Sequence, residues 1–482
     1  MDISGLIQLF KDSKPQIDLT NLLQQDTNIH AQGMVGSSLS FTVANSFQEL
    51  NKTHVLICND KEDAAYYLND LERILGKESL LFYPGSYRRP YQIDEVDNAN
   101  VLQRAEVLNR VNQKDKPLFL VTYPDALFEK VVTKKSIEEN TLKIKVGDQL
   151  SIDFVNEVLF EYEFTRVDFV TEPGEFSVRG GILDVFSFSN DHPYRIEFFG
   201  DEIDSIRAFD IESQLSTEKL NRITIIPNIE HKSNVESRVT FFQSIANTSI
   251  IYSDSLEGLY SRIDLLFEKA LQTFEKLDAT VKRSQPEDLF CQSSLLQDQL
   301  FQFKHVQFGT TSTKVNASKE KVLKFNTSPQ PSFNKQFELL IEDLNRNHNN
   351  GYTNVICCVS EQQAKRFHDI FEDMDQVVHY KTVVLSLYRG FVNHDIKLVC
   401  YTDHQIFERY HKFHLKNGYA KKQAITLKEL TNLEVGDYVT HIDHGIGKFG
   451  GLKKIDVEGK KQEAIKLMYG CLLYTSPSPR DA

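Results

Sequence analysis

One short pattern occurs twice in this chain, once near the N-terminus and once well past the middle, and it restricts the folds open to it. In the first copy the apolar run His54-Val-Leu-Ile-Cys58 leads into residues 61–75, where Ala64, Leu68, Leu71 and Leu75 fall on one helical face. In the second, residues 354–359 lead into 361–374, where Ala364, Phe367, Phe371 and Met374 do the same. A strand-sized apolar run followed by an amphipathic helix is the repeating unit of an α/β layer, because the strand is covered on both faces and the helix on one. Further apolar runs at 79–83, 118–122 and 397–401 read as buried strands of parallel sheets. The expectation is two separate α/β layers, one N-terminal and one near 335–410.

With 482 residues the chain exceeds what one core can organise, and three or four domains are expected. Its 40% hydrophobic and 26% charged residues are ordinary for a globular protein. No apolar run approaches the ~20 residues that cross a bilayer, and no secretory leader follows Met1, so a cytoplasmic monomer without membrane contact is expected. The six cysteines form no CxxC pair, and Cys58, Cys357, Cys358 and Cys400 sit inside apolar runs, which favours buried thiols over zinc or disulfides. A net charge of −13 disfavours generic DNA binding, since that depends on neutralising phosphates.

Between the two layers the texture changes. Residues 142–210 are rich in β-branched and aromatic side chains, with turn signals at Glu172-Pro-Gly-Glu175, Asn190-Asp-His-Pro193 and Phe199-Gly-Asp-Glu202. Tyr194-Arg-Ile-Glu-Phe198 alternates as a half-buried antiparallel strand does. Residues 234–298 return to helical periodicity, and Pro329-Gln-Pro331 reads as a linker. A basic stretch with Lys412, Lys416, Lys421 and Lys422 reads as a solvated helix or linker. From Leu433 the chain is punctuated by glycine, then continues as a hairpin of 452–457 and 462–469 turning at Glu458-Gly-Lys-Lys461, as in a small β-barrel.

Chemical motifs are scarce. Gly33-Met-Val-Gly36-Ser37-Ser38 stands where a phosphate-binding loop would precede a helix, but no lysine follows the glycines, so its β/γ-phosphate charge partner is missing. Gly445-Ile-Gly-Lys-Phe-Gly450 matches a dinucleotide fingerprint only as a pattern, because residues 452–469 alternate like a hairpin where a helix would be needed. His441-Ile-Asp-His444 has no evident third ligand, so no metal is expected. No nucleophile elbow occurs, and no catalytic residue is assigned. In the β-rich segment Arg166, Arg179 and Phe186 stand near turns and strand ends and are candidate interface anchors. The competing reading pairs Arg179 with a carboxylate and buries Phe186.

Two stretches carry a resemblance. Phe164-Thr-Arg-Val-Asp168, Glu172-Pro-Gly-Glu-Phe-Ser-Val-Arg-Gly-Gly-Ile-Leu-Asp-Val-Phe186 and the run from Tyr194 to Asp210 resemble the UvrB-homology domain shared by UvrB and the transcription-repair coupling factor (Mfd) family. Leu433-Glu-Val-Gly-Asp-Tyr-Val-Thr-His-Ile-Asp-His-Gly-Ile-Gly-Lys-Phe449 resembles the CarD-related, RNA-polymerase-interacting domain of that family, which UvrB lacks. The resemblance implies an α/β multidomain protein. Residues 1–135 and 215–330 would form a degenerate RecA-like layer, 136–214 a β-rich UvrA-interacting insert, and 331–425 a small α/β domain with a basic linker. Residues 426–469 would be a truncated Tudor/SH3-like barrel, and 470–482 a foreign-looking tail that leaves a sheet edge unpaired.

The same resemblance implies that Arg166, Arg179 and Phe186 lie near a UvrA contact, and that Lys453, Lys454 and Ile455 lie where the family meets the RNA polymerase β subunit. The implied function is a non-enzymatic adaptor that recruits UvrA to stalled RNA polymerase. ATP, magnesium and most DNA contact would belong to an ATP-dependent translocase motor absent from these residues. The alternatives are a UvrB-like helicase or excinuclease subunit, and a CarD-like transcription regulator without a repair role.

Overall fold

The computed structural model describes residues 2–25, 27–86, 98–113, 116–132, 141–188, 192–211, 213–226, 238–276, 284–310, 312, 320–374, 377–409, 436–441, 445–457, 460–469 and 472–477. It is a mixed α/β structure with several sheets, and it divides into two compact units, 1–418 and 419–482.

The largest sheet has seven strands, all parallel, in the spatial order Glu320–Lys324, Asn28–Gln32, Lys304–Gln307, Ile250–Ser253, His54–Ile57, Phe119–Thr122, Leu80–Phe82. It draws strands from both sides of the β-rich segment, which is therefore an insertion into this layer. The repeated sequence pattern is realised twice. His54–Ile57 leads to Asp60, whose carboxylate accepts the Asp63 amide at 2.9 Å and starts the helix Lys61–Leu75. Thr353–Cys358 leads to Ser360, whose hydroxyl caps Glu361–Asp373 through the Gln363 amide.

The second sheet has five strands in the order Thr327–Pro329, Phe391–Asn393, Leu398–Thr402, Thr353–Cys358, Lys381–Val384, and mixes parallel with antiparallel pairs. It is a sheet of its own, as expected, but it does not stand apart from the first. Val355, Cys357, Leu385, Leu387, Phe391 and Cys400 share one buried core with Phe10, Phe41 and the seven-stranded sheet. The Phe391 ring meets Phe10 and Phe41 edge-on, with centroids at 5.7 and 6.1 Å. The other face of the five-stranded sheet, with Ile356, Cys358, Val399 and Tyr401, packs on Leu340, Leu344, Phe367 and Phe371.

Several expectations change here. The stretch around Pro329 is not a linker: Thr327–Pro329 pairs antiparallel with Phe391–Asn393, and Gln330 is buried. Proline is tolerated because the strand lies at the sheet edge. Within the helical region 234–298, Ile250–Ser253 is a fully buried strand. Glu172–Glu175 does not reverse a hairpin, because the two-residue strand Thr165–Arg166 runs parallel to Glu175–Arg179.

The insert is a six-stranded sheet ordered Ser216–Leu220, Glu202–Phe209, Tyr194–Phe199, Ile182–Val185, Glu175–Arg179, Thr165–Arg166. A separate two-stranded pair, Leu142–Lys145 with Arg222–Ile225, adds Ile144, Ile223 and Ile225 to the same core, so the insert's strands run past residue 214, the end expected from sequence. The helix Ile152–Glu161, capped by Ser151, covers one face and adds Val155 and Leu159 to a core of Phe164, Phe176, Leu183, Ile196 and Ile206.

The second unit, taken alone, is a four-stranded antiparallel meander of Tyr438–His441, Gly445–Val457, Lys460–Tyr469 and Leu472–Pro477. Gly445–Gly450, the dinucleotide look-alike, is strand. The register slips between Phe449 and Leu452, where Gly451 adopts φ +90°. Leu472–Pro477, expected to lie outside the fold, pairs along Lys460–Tyr469 from Tyr469↔Leu472 to Ala464↔Pro477, so that strand is not an open edge. The lysine-rich stretch at 412–422, His444 and Cys471 lie outside the described residues.

Candidate functional site

The insert's sheet has two unlike faces. Strand alternation sends Phe176, Leu183, Val185, Tyr194, Ile196 and Ile206 into the core. The residues between them make a polar row across five strands. Register pairs Ser177 with Asp184, Asp184 with Arg195, Arg195 with Arg207 and Arg207 with Lys219.

Asp184 is the hinge of this row. Its carboxylate is only 1% exposed, yet it accepts a bidentate pair from Arg195, at 2.7 Å from Nε and 2.9 Å from Nη2, and a further bond from Arg179 Nη2. Those bonds to Asp184 push the Arg195 guanidinium up from its usual value, against the desolvation that opposes its charge. Arg207 is held by Glu197, whose other oxygen accepts from Ser205 Oγ at 2.6 Å. Each arginine is thus fixed by a carboxylate, which sets its fork before any partner arrives.

Exposed aromatic surface adjoins the row. The Arg179 guanidinium lies 5.3 Å from the centroid of Phe169, a ring 60% exposed. Phe199, at the tight turn into Glu202, is 84% exposed. A rim of fixed arginines with exposed rings can recognise an acidic or mixed protein surface.

Of the residues singled out in sequence, Arg179 belongs to this face and Arg166 is exposed at the sheet's edge. Phe186 does not reach the surface. Its ring is 0% exposed, immediately after the strand Ile182–Val185 and two residues beyond Asp184, so it can act on that face only from beneath the surface. Phe169, Arg195 and Arg207 were not singled out. The alternation of Tyr194-Arg-Ile-Glu-Phe198 was the available signal, since it already turns Arg195 and Glu197 outward.

Lys453, Lys454 and Ile455 lie together in the strand Gly445–Val457, opposite Ala464, Glu463 and Gln462. Gly33, Gly36, Ser37 and Ser38 do join a strand, Asn28–Gln32, to a helix, Ser38–Glu49. Ser37 and Ser38 are buried, and Ser38 Oγ is turned onto the Val35 carbonyl at 2.6 Å. Among the described residues no group of three or more His, Cys, Asp or Glu could hold a metal ion, and no helix is long and apolar enough to cross a membrane. Cys58, Cys291, Cys357, Cys358 and Cys400 are buried and unbridged.

Comparison with known proteins adds two domains and a set of relatives. Residues 142–231 match the UvrB interaction domain, and residues 433–471 match the CarD-like/TRCF RID domain. The transcription-repair-coupling factor of Bacillus subtilis (strain 168) is 24% identical over 513 residues, covering 91% of this chain and 43% of that protein. The one of Staphylococcus aureus (strain bovine RF122 / ET3-1) is 24% identical over 532 residues, covering 96% and 45%. The chain therefore spans a little under half the length of these relatives.

Proposed function

Proceeding from the relationship of this chain to the transcription-repair-coupling factors, we propose that it is an adaptor of transcription-coupled nucleotide-excision repair that recruits UvrA to stalled RNA polymerase. The insert presents the UvrA surface, through Arg179, Arg195, Arg207 and Phe169, with Arg166 at its edge. The CarD-like unit meets the polymerase β subunit through Lys453, Lys454 and Ile455. The seven-stranded layer serves as a degenerate RecA-like scaffold that uses no nucleotide. ATP, magnesium and DNA translocation belong to the motor of the full-length family and take no part in this step.

The observation that carries the reading is the polar row across the insert, whose arginines are pre-set by carboxylates on a sheet otherwise committed to its core. The test is equilibrium binding of the full chain to purified UvrA without nucleotide. Arg179→Ala and Arg207→Ala should each weaken binding by about thirtyfold or more, as for anchors worth ~2 kcal/mol. Equal binding by parent and variants would remove the site. Polymerase binding without any UvrA binding would favour a CarD-like regulator instead.

A further inference from the structure

The loop Gly33–Ser38 lies where a phosphate would be cradled, and it is filled by protein. Segment 386–390, the loop between the strands Lys381–Val384 and Phe391–Asn393 of the five-stranded sheet, runs against it backbone to backbone. The Ser37 amide donates to the Arg389 carbonyl at 3.0 Å, and the Arg389 amide donates back to Ser37 Oγ at 3.1 Å. One residue earlier the Tyr388 amide donates to Asp70 Oδ1 at 2.8 Å. Asp70, on the helix Lys61–Leu75, is completely buried and also accepts from Ser40 Oγ at 3.0 Å and from Ser37.

The approach is close enough to dictate residue type. A Cβ on Gly36, which sits at φ +57°, would lie 2.9 Å from the Gly390 carbonyl oxygen and 3.1 Å from that of Arg389. A Cβ on Gly390 would lie 2.0 Å from Gln330 Oε1. Side chains complete the contact: the Tyr388 ring stacks on Tyr66 at 3.9 Å, and the Arg389 guanidinium lies 4.6 Å from the Tyr388 centroid.

We propose that the phosphate-loop position has become a peptide socket whose resident ligand is segment 386–390 of the same chain, and that this occupancy both excludes nucleotide and fastens the two sheets together. The chemistry of the loop explains the exchange. A phosphate loop without lysine keeps its amides and hydroxyls but loses its charge partner, and an extended backbone offers the neutral donors and acceptors that such a loop can still satisfy. Asp70 supplies an acceptor for the ligand's amide, a bond that a phosphate, which has no N–H to donate, could not replace.

The experiment is hydrogen–deuterium exchange on the full chain, read at the Tyr388 and Arg389 amides. Ser37→Ala should speed exchange at Arg389, and Asp70→Ala at Tyr388, each by about tenfold, as loss of one buried hydrogen-bond acceptor would give. Asp70→Asn, which keeps an acceptor oxygen, should leave Tyr388 protected and so separates the contact from general loosening. Millimolar magnesium-ATP or inorganic pyrophosphate should change nothing at 33–38 or 386–390. Unaltered protection of both amides in the folded alanine variants would overturn the socket, as would displacement of 386–390 by either anion.

Discussion

Asp70 shows what a single side chain contributes when it is buried between two sheets. Desolvation raises its carboxyl from 3.8 to about 7, with the hydrogen bonds from Ser37, Tyr388 and Ser40 opposing the rise. The folded chain therefore keeps a proton between about pH 4 and 7 that the unfolded chain releases. Stability drawn from this group falls as pH rises through that window, and the cost is complete above it. Asp70→Asn should accordingly stabilise the chain by about 1–3 kcal/mol at pH 8 and by little at pH 4, measured by urea unfolding. Phe186 is the opposite case. Phe186→Ala should destabilise the insert by about 3–5 kcal/mol, seen as its earlier melting, and weaken UvrA binding only through that loss. Sequence made Phe186 visible through its motif but could not say which side of the sheet it faces. Asp70 was hidden, because among Tyr67, Leu71 and Ile74 a lone acid looks like the solvated side of an amphipathic helix.

Elements were legible where local pattern and tertiary role agree. The strands His54–Ile57, Phe119–Thr122 and Thr353–Cys358 and their helices arise from apolar runs and caps. Ile250–Ser253 and Lys304–Gln307 were not legible. Ile250–Ser253 is set inside a stretch of helical periodicity that outweighs it, and Lys304–Gln307 carries Lys304, His305 and Gln307 around a single valine, so it forms no apolar run. The parallel pairing of Thr165–Arg166 escaped because turn chemistry at Pro173-Gly174 announces a change of direction without saying what the returning strand pairs with. The alternation within the insert did specify its two faces, and the face not used for the core carries the arginine row. That row depends on one residue. Asp184→Ala should destabilise the insert by about 3–5 kcal/mol by leaving Arg195 without its bidentate partner. UvrA affinity should fall further than in Arg179→Ala, since two forks lose their setting at once. Calorimetry of the variant beside the binding assay separates these effects.

The unit 1–418 behaves as one body because two sheets share a core that neither owns. The second sheet looked like a separate layer in sequence, as its strand–helix pattern is complete by itself. What sequence could not show is that Leu385, Leu387 and Phe391 turn towards Phe10 and Phe41. Residues 1–330 produced alone should therefore expose that apolar face and aggregate, whereas 1–409 should stay monodisperse in size-exclusion chromatography. Acid should weaken the whole unit. Burial lowers His54 to about 3 and His305 to about 4, so the unfolded chain takes up two protons below pH 6.5 that the folded chain refuses. Each adds a loss of about 1.4 kcal/mol per pH unit in that range, partly offset by Asp70. The Asp70→Asn variant should thus lose stability more steeply than the parent between about pH 6.5 and 5. One feature of the large sheet also acts in time. Asn28–Gln32 lies between two strands from beyond residue 300, and His30 Nε2 meets the Gly309 carbonyl oxygen 279 residues along the chain. At roughly 5–20 residues per second of synthesis, this strand waits on the order of 15–60 s for both neighbours. During translation, then, the N-terminal strand is an early-made part with a late-made slot, and its backbone groups can find their sheet partners only after Glu320–Lys324 has been made.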